Sequence, residues 1–79
     1  MYWIDKSVGY EARRASRQVS FECDTEADIV NLPTINTEGT PQGDGDPETV
    51  QPVKPGSTCF VIDTSEVYKL KSDNVWKKL

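Results

Sequence analysis

Residues 56–79 read GSTCFVIDTSEVYKLKSDNVWKKL, and the punctuation of this stretch decides the fold class. Three short runs rich in β-branched and aromatic residues, STCFVI at 57–62, VYKLK at 67–71 and VWKKL at 75–79, are separated by DTSE and SDN. Asp63, Thr64, Asp73 and Asn74 carry side-chain oxygens that bond nearby backbone and so favour turns. Runs of this length with such turns between them predict a three-stranded antiparallel meander over residues 57–79. In the second run Tyr68 and Leu70 share one face and Lys69 and Lys71 the other, the two-residue period of a strand covered on one side. Phe60, Ile62, Trp76 and the Cys59/Val61 pair must divide between the core and a partner-facing surface, and Phe60, Ile62, Tyr68, Leu70 and Trp76 are the expected core.

Working back from the meander, RQVSFEC at 17–23 alternates Val19, Phe21 and Cys23 with polar residues and predicts a fourth strand. DTEADIVNLP follows with the marks of a helix start. Asp24 or Thr25 serves as N-cap, Glu26 and Asp28 fall in the first turn, and Pro33 is the stop. Ala27, Ile29, Val30 and Leu32 would cap one edge of the sheet. The expected fold is mainly β: a small antiparallel sheet of about four strands with one short helix and two open edges.

Residues 33–56 hold all five prolines and four of the five glycines, and predict a long acidic loop. Loops of this length in a compact domain are usually functional or disordered. Residues 1–16 predict an extended N-terminal arm, leaving 17–79 as a single small β domain. Tyr2, Trp3, Ile4, Val8 and Tyr10 follow no clean period, and EARRASR at 11–17 has good helix formers but little apolar face to hold a helix down. Aromatics on such an arm require a surface that covers them.

The chain has 79 residues, 35% of them hydrophobic and 28% charged, which allows one domain with a thin core. No run has the ~18 to 20 apolar residues of a membrane span, and the first 20 residues lack the apolar segment of a secretion signal. Histidine is absent and there are two cysteines, Cys23 and Cys59, neither at metal-ligand spacing. Both lie in alternating apolar runs and read as small buried hydrophobes, with a bridge between adjacent strands as the alternative. GDGDPE at 43–48 alternates Asp44, Asp46 and Glu48 like the start of a calcium loop, but Pro47 interrupts it and no helices flank it, so it reads as an acidic turn. No nucleophile with a base and no phosphate-binding glycine loop is present. The sequence therefore offers no catalytic, cofactor or metal site.

The net charge is −4, and its distribution is lopsided. Glu22, Asp24, Glu26, Asp28, Glu38, Asp44, Asp46 and Glu48 occupy a stretch without a single basic residue, while Lys6, Arg13, Arg14 and Arg17 precede it and Lys69, Lys71, Lys77 and Lys78 follow it. Solubility alone accounts for such a surface, but it also suits head-to-tail contact between copies. An acidic balance without a dense basic stripe disfavours nucleic acid as a partner. The expected contact residues are Tyr2, Trp3, Ile4, Tyr10, Arg13, Arg14 and Arg17 in the arm, with Glu38, Asp44, Asp46 and Glu48 as acidic counterparts.

VSFECDTEADIVNLPT at 19–34, the acidic Gly/Pro loop and GSTCFVIDTSEVYKLKSDNVWKKL at 56–79 together resemble small proteins from the structural modules of tailed bacteriophages and prophages of Gram-positive bacteria. The resemblance is loose over residues 19–79 and good over 56–79. It implies a non-enzymatic virion component associated with capsid, connector or tail, assembled in the host bacterial cytoplasm. Its partners would be other virion proteins and copies of itself, with no membrane. The competing expectation is a monomeric acidic inhibitor that presents residues 22–48 to a basic surface of a host protein.

Overall fold

The computed structural model describes residues 1–5 and 18–79 of the chain. Five strands, β1 (Tyr2–Ile4), β2 (Ser20–Cys23), β3 (Thr58–Val61), β4 (Glu66–Leu70) and β5 (Trp76–Lys78), form one sheet whose spatial order is the order in sequence. β3, β4 and β5 are the antiparallel meander that the turn residues dictate. Its two turns are closed by Ser65 (φ 55°) and Asn74 (φ 71°), both in left-handed backbone.

The sheet is mixed, where the sequence predicts a purely antiparallel one of about four strands. β2 and β3 run parallel, with Phe21 opposite Cys59 and Cys23 opposite Val61. A parallel neighbour requires a long crossover, and residues 24–57 supply it. The additional strand comes from the predicted arm: Tyr2–Ile4 pairs antiparallel with β2, Tyr2 opposite Cys23 and Ile4 opposite Phe21. Residues 2–4 are thus an element of the domain. Residues 6–16 of the predicted arm, and the EARRASR stretch at 11–17 with its helix formers, lie outside the described residues.

The crossover begins with a 3-10 helix, Glu26–Asn31, capped at Thr25. The Asp28 carboxylate accepts the Thr25 N–H at 3.0 Å, while the Asp28 N–H bonds the Thr25 carbonyl at 3.1 Å. Leu32 is buried and Ile29 packs against the core, whereas Ala27 and Val30 face solvent and cap no edge. Beyond the helix, Leu32, Pro33, Val50 and Val53 are buried over the sheet. The long acidic loop is therefore the second layer of the domain. It is fixed by a bridge between Gly39 and Val50 and by the Val53 N–H on the Thr34 carbonyl at 3.0 Å. Gly39 admits no side chain, because a Cβ there would run into the Tyr2 hydroxyl and the Pro33 ring.

The core lies between this layer and one face of the sheet: Tyr2, Ile4, Val19, Phe21, Cys23, Cys59, Val61, Tyr68 and Leu70. Each large side chain fully buried here contributes about 1.5–3 kcal/mol. Phe21 sits edge-on to Tyr2 (5.7 Å, 79°) and to Trp76 (6.4 Å, 73°). Trp76 covers the core as expected and donates its Nε1–H to the Pro33 carbonyl at 3.1 Å. Phe60 and Ile62, expected inside, are outside. CFVI has apolar residues on both faces, so its phase is set by its neighbours, and pairing Cys59 with both Phe21 and Tyr68 turns Phe60 outward.

Cys23 and Cys59 are both fully buried and unbonded, their sulfurs 3.5 Å apart. They sit side by side on the neighbouring strands β2 and β3, in the core.

Candidate interaction surface

With one face of the sheet covered by the crossover, the opposite face is the surface on offer. Strand alternation and register place Trp3, Glu22, Phe60 and Val67 in one row across four strands, and Leu79, whose N–H bonds the Val67 carbonyl at 2.9 Å, extends it. Phe60 is 38% exposed, Ile62 49% and Leu79 73%. Trp3 and Val67 are half-buried. Glu22 interrupts the apolar row, but its Oε1 accepts the Trp3 Nε1–H at 3.0 Å, which seats the indole on the sheet.

The next row reads Ser20, Thr58, Lys69 and Lys77. Lys69 and Lys77 are directly opposite each other on neighbouring strands, and both are exposed. Like charges in that position destabilise a strand pair. Lys78 points to the covered side, where it meets Glu66 at 3.2 Å, and this hydrogen bond holds the Lys78 ammonium above its ordinary pKa.

The two edges of the sheet differ in kind. β1 is shielded by the crossover. The Tyr2 N–H donates to the Gln42 Oε1 at 3.2 Å, the Gln42 N–H to the Tyr2 carbonyl at 2.9 Å, and the Ile4 N–H to the Asp46 Oδ2 at 3.3 Å. β5 is bare. The Lys71–Val75 and Val67–Leu79 bonds bracket the Lys69–Lys77 pair, so residues 75, 77 and 79 face β4, and the backbone N–H and C=O of Trp76 and Lys78 point away from the sheet. Of the two open edges expected, one is therefore closed.

Strand order turns the lopsided sequence charge into a spatial one. Asp44 and Glu48 are exposed on the crossover, whose residues 42–46 lie along β1, and Glu22 and Asp24 follow on β2 and just past it. Lys69, Lys77 and Lys78 lie on β4 and β5 at the other side.

Among the expected contact residues, Tyr2 and Ile4 are in the core, each 2% exposed, and offer no surface. Trp3 is on the outer face. Glu38, Asp44 and Glu48 are exposed, but Asp46 is half-buried and shapes the loop, its Oδ2 also accepting the Gly43 N–H at 2.9 Å. Tyr10, Arg13, Arg14 and Arg17 lie outside the described residues. Leu79 and the lysine pair were not anticipated as surface features, and Phe60 and Ile62, weighed between core and surface, were assigned to the core. The unbroken CFVI run was their signal, since a strand apolar on both sides needs cover on both.

Among the described residues, no group of three or more His, Cys, Asp or Glu is arranged to hold a metal ion, and no helix is long and apolar enough to cross a membrane. No protein family model, curated protein or solved structure matches the chain.

Proposed function

We propose that the chain is a structural protein of a tailed-bacteriophage or prophage particle, associated with capsid, connector or tail, that acts by protein–protein contact in a symmetric assembly. The observation that carries this is the outer face of the sheet, which no other described element covers and where Phe60, Ile62 and Leu79 are exposed beside Trp3 and Val67. Contiguous apolar surface on a small domain marks a place where something else sits. The resemblance of residues 56–79 to phage structural proteins supplies the kind of partner.

The mechanism is burial of surface. A neighbour laid on this face removes the apolar row from water, gaining about 25 cal/mol per Å² of apolar area, and a specific contact needs on the order of 1,000 Å² in total. One small sheet face supplies only part of that, so stable placement calls for several contacts per copy, which a symmetric array provides.

The test is mass spectrometry of gradient-purified particles from a phage or prophage that carries the gene. The expected result is the chain in fixed proportion to the other structural proteins, resistant to high-salt washing. Absence from particles, combined with a tight one-to-one complex with a basic host protein, would replace this function with that of an acidic inhibitor.

A further inference from the structure

Among the described residues, no ion pair sets a carboxylate against the Lys69–Lys77 pair. Both ammonium groups are exposed, and the register holds them opposite each other across β4 and β5. The carboxylates that bond nearby lysines are engaged elsewhere, Glu66 with Lys78 and Asp73 with Lys71. Beside the pair runs the open edge of β5, with the N–H groups of Trp76 and Lys78 pointing outward. Ammonium groups and backbone donors side by side make a surface for carboxylates.

The opposite side of the same domain presents those carboxylates. Asp44 is exposed on the stretch of crossover, residues 42–46, that shields β1, and Glu48 is exposed two residues beyond it. Four interstrand steps of about 4.8 Å separate β1 from β5, so the two charge sets lie roughly 19 Å apart at opposite edges of one sheet. They cannot meet within a chain, but they can between chains.

We infer that β5 is the docking edge for the acidic crossover of a second copy, with Lys69 and Lys77 of one protomer receiving Asp44 and Glu48 of the next. This deepens the structural role proposed above and rests on it. Charge selects this mode over a two-fold pairing of β5 with β5, which would set lysines against lysines. The contact is head-to-tail, so it closes into a ring if the rotation per copy permits and otherwise extends as a filament. The outer-face apolar row is left free for a different neighbour.

The experiment is sedimentation velocity on the whole chain at low and at high salt. Wild type is expected to form species larger than a dimer at low salt that dissociate as salt rises. Lys77→Glu is expected to stay monomeric at every concentration tested while its thermal midpoint rises, because an opposite-charge pair replaces a repelling one. Asp44→Lys/Glu48→Lys is likewise expected to be folded and monomeric, and an equimolar mixture of the two variants to associate again, because the intact lysine pair of one meets the intact carboxylates of the other. Wild type that remains monomeric, a Lys77→Glu variant that assembles like wild type, or a mixture that fails to associate would each overturn this interface. Particle incorporation separates this outcome from the broader role: a chain found in particles yet monomeric in solution retains its structural function and loses only this contact.

Discussion

The side chain of Asn74, in the last turn of the meander, accepts the backbone N–H of Ile35 through Oδ1 at 2.8 Å, bridging 39 positions of sequence. Together with the Trp76 Nε1–H on the Pro33 carbonyl, it pins the start of the crossover to the C-terminal end of the sheet. Asn74 also occupies left-handed backbone, which asparagine and glycine tolerate best. Its two roles are separable. Asn74→Gly keeps the backbone and loses the bond, at a cost of about 1 kcal/mol; Asn74→Ala loses both and costs about 2–3 kcal/mol. Urea unfolding followed by tryptophan fluorescence reads both, and equal costs would show that the backbone conformation contributes nothing.

Tyr2 carries a buried hydroxyl with no hydrogen-bond partner among the described residues. Burial is the main reason its pKa is pushed up to about 12; the nearby Thr40 backbone N–H only partly offsets it, without reaching hydrogen-bond geometry. An unpartnered buried hydroxyl costs folding energy, so Tyr2→Phe, which retains the edge-on contact with Phe21, is expected to raise stability by about 0.5–1 kcal/mol. That corresponds to a thermal midpoint higher by roughly 2–8 °C in a domain of this size. A loss of stability would place a partner on the oxygen.

Burial raises the pKa of both thiols, Cys59 most, so little thiolate exists at neutral pH. The native chain is expected to react with a disulfide reagent only as fast as it unfolds, and to expose two reactive thiols in denaturant. Rapid labelling of the folded chain would contradict the burial.

In a chain whose Met1 amine is free, Asp28 is held below its ordinary pKa, first by the hydrogen bond from that amine and then, after an opposing burial effect, by the Thr25 N–H. A depressed folded-state pKa stabilises above the unfolded value of about 4 and ceases to as pH falls through the folded one. The amine moves the opposite way. Raised mainly by Asp28, it stabilises fully below its unfolded value of about 8 and loses that effect as pH climbs past the folded one. Asp28→Asn is expected to lower the thermal midpoint at pH 6, with the gap from wild type closing at both extremes. A gap that persists in strong acid would assign the effect to packing.

The meander, β2 and the Thr25–Asp28 helix start were legible because each is written in neighbouring residues: turn formers, a two-residue period, a cap. β1 was not, since Tyr2–Ile4 spans three residues and its strand character comes from pairing with β2. Parallel pairing of β2 and β3 was hidden for a related reason. The crossover that enforces it lacks the long amphipathic helix by which such units are usually recognised, and it covers the core with scattered residues such as Leu32, Val50 and Val53. The charge imbalance could be read directly, but its division between two edges follows from strand order. The Lys69–Lys77 opposition follows from register, which the sequence leaves open by a residue in either direction.

Whether the outer face of the sheet is a contact surface can be read from the copy number, in purified particles, of a Phe60→Thr/Ile62→Thr variant. Both side chains are exposed and threonine suits a strand, so the variant is expected to fold with near wild-type stability, checked by circular dichroism and thermal melting. This folded chain is expected to be missing from particles or reduced at least tenfold. Incorporation at wild-type copy number would contradict it.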